Sequence, residues 1–460
     1  MTRRHFIRAI AALVAATSGI GCASIFRSAP KTIARAGFPI VQGLTNATAA
    51  QFAVVAPREA ELHFSFSPLK GDRPFTADLS SEIRASSSSS TVVHHLKVTG
   101  LSTGTVYRLD VRRGAELIDT REFTSLDVSR RPARIIAASC LYDLFLKESV
   151  AMWKSVADAK PDLLLLIGDN VYAEVSNGRF PSPLNEAALW TRYTETFSAL
   201  DFYRLNRLIP TLVTWDDHDY GMKDGDFTNP HKVESKKVME SFFAQTPSKE
   251  FPEFHSGPGV SSIFDAFGYR FMLLDDRSFR STKPDPNAAL IDPHQTHFGA
   301  EQENWILKNV EASQDPVWLI SGDQWFGSYH RFESYEGTHP ESFKKFFARL
   351  KQTDSTVMFM SGDRHLSEVN KVESELLGYE TFEFTSSSLH SKAHPANWDS
   401  IPNRRHVRGI DMVHSFILFE LTPSEKHVVK LKGEAIGTQS KVLYEFQFDV
   451  TRRASKRARE

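Results

Sequence analysis

Cysteine is scarce in this 460-residue chain, with only Cys22 and Cys140 present. Cys22 falls in the leader described below, so Cys140 stands alone and has no disulfide partner in the mature chain. Charge of one sign is lacking too. The formal net charge of −1 gives no sign of a nucleic-acid-binding domain. No apolar run reaches the ~18 residues that span a bilayer, which excludes an integral membrane protein. What remains is ordinary: 41% hydrophobic and 24% charged residues belong to a globular chain rather than a disordered or fibrous one. The length leaves room for two or three domains of roughly 100–200 residues each.

The first thirty-five residues read as an export leader and linker. MTRRHFIRAIAALVAATSGIGCAS has a basic start and an apolar stretch of small residues without acids, the layout of a secretory signal. Arg3 and Arg4, with Phe6 two positions on, resemble the twin-arginine signal read by an export machinery for folded proteins. Cys22 is the candidate lipidated residue of a lipoprotein. The expected location is therefore periplasmic or extracellular, with a lipid anchor as the one route to a membrane. The carboxyl-terminal TRRASKRARE carries five bases and one acid, a basic tail over 451–460 with a solvated terminus as its simplest explanation.

Between these ends the hydrophobic pattern changes once. Residues 36–126 contain short runs such as FPIVQGLTN, QFAVVAP, LHFSFSP and VYRLDVRRG, rich in Val, Phe, Thr and Tyr, as in an all-β sandwich. LSTGTVYRLDV resembles the fibronectin type III pattern, in which a Leu and then a Tyr anchor a late strand. DVSRRPA reads as a linker. From 132 to 450, apolar runs recur between amphipathic stretches: RIIAASC, DLLLLIGDNVY, PTLVTWDDHD, RFMLLDDRSFR, VWLISGDQW and TVMFMSGDRH. Strands alternating with helices predict an α/β domain with a two-sheet β core flanked by helices. A last group, YETFEFTSS, SFILFELT, HVVKLKGEA and VLYEFQFDV, predicts antiparallel strands completing a second sheet.

The strand ends carry the chemistry. They bear Cys140, Asp169, the 216–219 cluster, Asp275 with Asp276, Asp323, and Asp363 with His365. Ligands gather outside the carboxyl ends of strands in α/β sheets. A single Asp there is usually a turn former or cap, but six such ends in one domain call for another cause. Carboxylates drawn together repel one another unless a cation sits among them. A multinuclear centre with carboxylate and imidazole ligands is the expectation. Arg277, directly after Asp275 and Asp276, is the first candidate for a phosphate clamp and Arg364 the second. The alternative for Arg277 is a salt bridge with a neighbouring Asp.

The order GDNVY, WDDHD and SGDRH, with LLDDRSFR and AEQENWI, resembles the alkaline phosphatase D family of the calcineurin-like metallophosphatase superfamily. The resemblance runs from about 38 to 450, and it implies an exported hydrolase of phosphoric esters that uses Fe3+ and Ca2+. It implies Cys140, Asp169 and Tyr172 as iron ligands, with Asp169 reaching across to calcium. Asp217, Asp363 and His365 would complete the shell, while His218, His365 and Arg277 would act on substrate. Asn170, Asp224, Asp275, Asp323 and Arg364 are expected around them. The chain departs from the family at Lys223, where an Asn is usual. That makes Asp224 a candidate replacement ligand and Lys223 a candidate phosphate contact.

The leading expectation is a phosphomonoesterase acting on a small molecule through metal-activated water. A phosphodiesterase or phospholipase is the second, and another divalent metal is the second choice of cofactor. From a different class comes a non-catalytic calcium-binding surface module. Calcium loops of that kind are contiguous in sequence, whereas these candidates are spread from Cys140 to His365.

Overall fold

The computed structural model describes residues 37–70, 77–130, 132–175, 183–282, 295–330 and 333–452. The leader with Cys22 and the end of the basic tail lie outside the described residues.

Seven strands come first: β1 (Ile40–Thr45), β2 (Ala49–Pro57), β3 (His63–Pro68), β4 (Asp78–Arg84), β5 (Thr91–Thr99), β6 (Val106–Arg113) and β7 (Glu116–Thr124). They form a four-stranded sheet, β1-β2-β5-β4, and a three-stranded one, β3-β6-β7. Alternation explains how they pack. Ala50, Phe52 and Val54 of β2 point into the core shared by the two sheets. Ala53 and Val55 point the other way, into a second core among helices of the downstream part. β2 therefore buries both faces, and the seven strands are joined to the rest of the chain by apolar contact. The Tyr107 hydroxyl accepts the Ser102 N–H at 2.7 Å, which pins the turn ahead of β6.

Two larger mixed sheets follow. The six-stranded one runs β10-β9-β8-β19-β20-β21, with β8 (Ala133–Ala138), β9 (Leu163–Ile167), β10 (Thr211–Thr214), β19 (Phe416–Leu421), β20 (Val428–Ile436) and β21 (Val442–Thr451). β8, β9 and β10 are parallel, and β19 to β21 are antiparallel. The eight-stranded sheet runs β11-β12-β13-β14-β15-β17-β16-β18. Its strands are β11 (Phe254–Ser256), β12 (Ser262–Ala266), β13 (Tyr269–Leu273), β14 (Val317–Ile320), β15 (Val357–Ser361), β16 (Ser367–Val372), β17 (Thr381–Ser386) and β18 (His406–Ile410). β13, β14, β15 and β17 are parallel.

β9, LLLLI, shows why the parallel strands have no polar face. Leu163, Leu165 and Ile167 enter the core that joins the two sheets, together with Phe271, Leu319 and Phe359. Leu164 and Leu166 meet Trp153, Phe197 and Phe242, from the helices Leu146–Asp158, Glu186–Ala199 and Lys232–Phe242. A strand covered on both faces needs a continuous apolar run.

Two expectations are corrected here. The last strands do not all complete one sheet as antiparallel members, because β17 pairs in parallel with β15 in the eight-stranded sheet while β19 to β21 extend the sheet of β8. β4, β11, β12, β16 and β18 have no counterpart among the runs quoted above. β4, DLSSEIR, is exposed along almost its whole length, so it lacks the apolar signal that marks a strand.

Candidate metal centre

The parallel strands end on one side, and the backbone there is forced into unusual shapes. Cys140, Asp169, Asp363 and His365 all take positive φ, at 63°, 54°, 58° and 55°. Non-glycine residues adopt this region at a cost of roughly 1–2 kcal/mol each, and such residues concentrate at functional sites. Close approach of the two sheets adds to the constraint. A Cβ on Gly168 (φ 111°), after β9, would lie 3.2 Å from the Gly322 Cα, after β14. One on Gly362 would lie 2.7 Å from the Ser139 Oγ.

Two groups of possible ligands result. Cys140, Asp169 and His365 bring one donor atom each within 4.8 Å of one another, and so do Asp169, Asp217 and His218. Asp169 belongs to both. The Tyr172 hydroxyl lies 3.3 Å from Asp169 Oδ2 and 3.2 Å from His365 Nε2. The Cys140 Sγ sits 3.4 Å from the same carboxylate oxygen and 3.0 Å from the Ser387 Oγ.

The two imidazoles are each oriented from behind. His365 Nδ1 lies 2.6 Å from the Lys392 carbonyl; a carbonyl only accepts, so Nδ1 donates and Nε2 is left toward Tyr172. His218 Nδ1 bonds the Glu174 carboxylate, leaving Nε2 4.0 Å from Asp217 Oδ1. A ring nitrogen tied to a carbonyl or carboxylate, with the other turned inward, is the usual arrangement of a metal-binding or proton-transferring histidine.

The electrostatics fit a cation. Burial pushes Asp169 well above the usual carboxylate range, and Asp217, Asp219 and Asp363 push it further against the pull of His218. Burial, then the charge of Asp217, raises Asp363 to about 7. The Cys140 thiol and the Tyr172 phenol are raised well above their ordinary values, first by burial and then by their acidic or ionisable neighbours. Asp217 stays below the usual range despite burial, held there by His218, Arg277 and the Asp224 N–H. Asp169 Oδ1 is buried with no hydrogen-bond partner among the described residues. A thiol, a phenol, imidazoles and an unsatisfied carboxylate suit a bound metal, which would favour the deprotonated form of each.

The other expected residues lie outside the two ligand groups. Arg277 is a correction: its side chain is 1% exposed and bonds Asp216 at 2.7 Å and Glu333 at 2.8 Å. A guanidinium sealed between carboxylates cannot clamp a phosphate, so the salt-bridge alternative holds. The Asp275 carboxylate is likewise engaged by the protein. It accepts the Trp215 indole N–H at 2.9 Å and the backbone N–H groups of Val260, Arg277 and Ser278. Asp323 is fully buried against Arg280 at 2.7 Å. Asn170 ties Thr214 to Asp219. Asp224 contributes its backbone N–H to Asp217 at 2.7 Å, while its carboxylate points outward toward Lys223 at 3.5 Å. Arg364 stands between Asp363 and His365 at 8% exposure.

Glu174, Ser387, Arg280 and Glu333 were not foreseen. Glu174 had a usable signal, a lone acid in the apolar stretch Val171–Val175. Ser387, inside a run of three serines, had none.

PhoD-like phosphatase is the family whose model matches, over residues 135–414, a span that includes every proposed ligand and begins after the seven-stranded part. A curated relative, alkaline phosphatase D of Bacillus subtilis (strain 168), is 22% identical over 417 residues, covering 76% of this chain and 69% of its own. Together these findings define a hydrolase of phosphoric esters. The chain belongs to the PhoD-like phosphatase family. No helix among the described residues is long and apolar enough to cross a membrane.

Proposed function

We propose that the chain is an exported, metal-dependent phosphomonoesterase with Fe3+ and Ca2+ at the strand ends. The sharing of Asp169 between two ligand groups, one containing a thiol and bordered by a phenol, carries the reading. Thiolate, phenolate and imidazole suit iron, and the carboxylate-rich side suits calcium. Cys140, Asp169 and Tyr172 would hold the iron. Asp169 would reach across to the calcium, and Asp217, Asp363 and His365 would complete the shell.

Bound there, the metals supply Lewis acidity to the phosphoryl oxygens and acidity to a water molecule. His218, held at Nδ1 by Glu174, donates a proton from Nε2 to the leaving oxygen. Asp217 keeps its charge through His218, Arg277 and the Asp224 N–H. Arg364 takes over from Arg277 as the guanidinium facing the equatorial oxygens, and Lys223, with its side chain half exposed, meets the substrate at the mouth.

Residues 36–126 form a fibronectin-like sandwich ahead of a calcineurin-like domain over 132–450. The β1-β2-β5-β4 and β3-β6-β7 sheets support the first assignment, although β4 pairs with β5 as in constant-type immunoglobulin domains. The leader would deliver the folded enzyme to the periplasm or beyond, with Cys22 as the site of a lipid anchor.

Elemental analysis of natively exported protein tests the centre. Iron equimolar with the chain, together with calcium, supports it; zinc or manganese alone overturns it. Faster hydrolysis of p-nitrophenyl phosphate than of bis-p-nitrophenyl phosphate supports the monoesterase. The reverse order makes it a diesterase or phospholipase.

A further inference from the structure

The turn Trp215–Tyr220 delivers Asp217 and His218, and it is gripped at both ends by one segment of chain. β10 leads into it from the edge of its sheet, where backbone groups on the open side need partners. The Gln245 side chain supplies both. Its Oε1 accepts the Val213 N–H at 2.9 Å, and its Nε2 donates to the Val213 carbonyl at 3.0 Å. At the far end of the turn, the Tyr220 carbonyl accepts from Asn229 Nδ2 at 3.0 Å and from Ser235 Oγ at 2.9 Å. Ser235 lies in the helix Lys232–Phe242, and Gln245 follows that helix by three residues. One helix and its exit thus hold both sides of the catalytic turn.

That helix and its exit are in turn held by the seven-stranded part. The Gln51 amide bonds the backbone of Thr246 twice, at 2.7 and 2.9 Å. The Leu44 N–H meets the Ala244 carbonyl at 2.7 Å, and a Cβ on Gly43 would overlap that carbonyl at 1.8 Å. His95 Nε2 bonds the Ser241 carbonyl at 2.7 Å. Gln51 thus holds the residue next to Gln245, whose own amide reaches Val213. None of these groups from the seven strands reaches the ligands themselves.

We infer that the amino-terminal sheets brace the Asp217–His218 turn, with Gln245 as the positioning residue and Gln51 acting through it. The inference rests on the reading of Asp217 and His218 as working residues of the hydrolase. A turn displaced by about 1 Å can cost up to a hundredfold in rate without any change in the reacting groups.

The experiment uses the full-length, metal-loaded enzyme and p-nitrophenyl phosphate. Gln245→Ala should lower kcat about tenfold or more at unchanged KM, and Gln51→Ala should lower it less. The double variant should be no slower than Gln245→Ala, because the two act along one path and their effects do not add. Lys97→Ala, which breaks the 2.9 Å ion pair with Glu250 at the same interface, should lower Tm and leave kcat alone. Gln51→Ala keeps the test open if Gln245→Ala does not fold. Unchanged kcat in both folded single variants, or fully additive losses, would overturn the brace. Asp217→Asn and His218→Asn test the underlying reading separately. If they retain turnover, that reading fails; if they lose it while the glutamine variants do not, only the brace fails.

Discussion

The two large sheets both end in acids, yet they treat those acids in opposite ways. In the six-stranded sheet, β8 and β9 lead to Cys140 and Asp169, which make no ion pair among the described residues. In the eight-stranded sheet, β13 and β14 lead to Asp276 and Asp323, which are met by Arg277, Arg280 and backbone N–H groups. Only β15 sends its Asp363 and His365 to the centre. An acid at a strand end is free for chemistry when the protein leaves its charge uncompensated. It belongs to the scaffold when an arginine has been placed beside it.

The largest contrast should come from one substitution on each side. Asp169→Asn should empty both ligand groups and abolish turnover, as read by elemental analysis and phosphate release. Asp323→Asn should leave metal content and kcat near wild type in the folded protein, but lower stability by on the order of 3 kcal/mol in denaturant unfolding. Metal loss in the second variant would erase the distinction. Glu174→Gln comes next: it keeps a hydrogen bond to His218 but removes the charge behind it, with an expected loss of about 10- to 100-fold in kcat.

The scaffold side should also show in acid. His297, buried beside Asp323, is lowered to about 3, first by burial and then by Arg280. The unfolded chain binds this proton near pH 6.5, well before the folded one does. Its contribution to stability is therefore complete above about 6.5 and is lost as the pH falls toward 3, at up to about 1.4 kcal/mol per pH unit. His297→Gln should flatten that slope in unfolding curves collected across the range. The smallest effect should come from Lys223→Met, a few-fold rise in KM at unchanged metal content. A change in metal content there would move Lys223 from the substrate to the metal shell.

Part of this division was legible in DDRSFR. Arg277 follows Asp275 and Asp276 directly, and the salt bridge stood as the alternative to the phosphate clamp, whereas Arg280 gave no signal that was read. The strand runs β8, β9, β10, β13, β14 and β15 were legible because burial on both faces demands continuous apolar sequence. β4 was not, since an exposed edge strand needs no apolar pattern. Gln51 and Gln245 were also silent, because an amide that completes another segment's backbone bonding is set by tertiary proximity alone. Ser387 lies 247 residues from Cys140 in sequence, and no local pattern could pair them.

Cys140 closes the centre on the inside, with its side chain wholly buried. In a Cys22→Ser background, any reagent that reaches a thiol must therefore wait for the strand ends to part. The labelling rate of Cys140 becomes a clock for local opening, readable without substrate and sensitive to whatever ion holds the strands together. A single hidden sulfur thus reports how often this molecule comes undone at its strand ends.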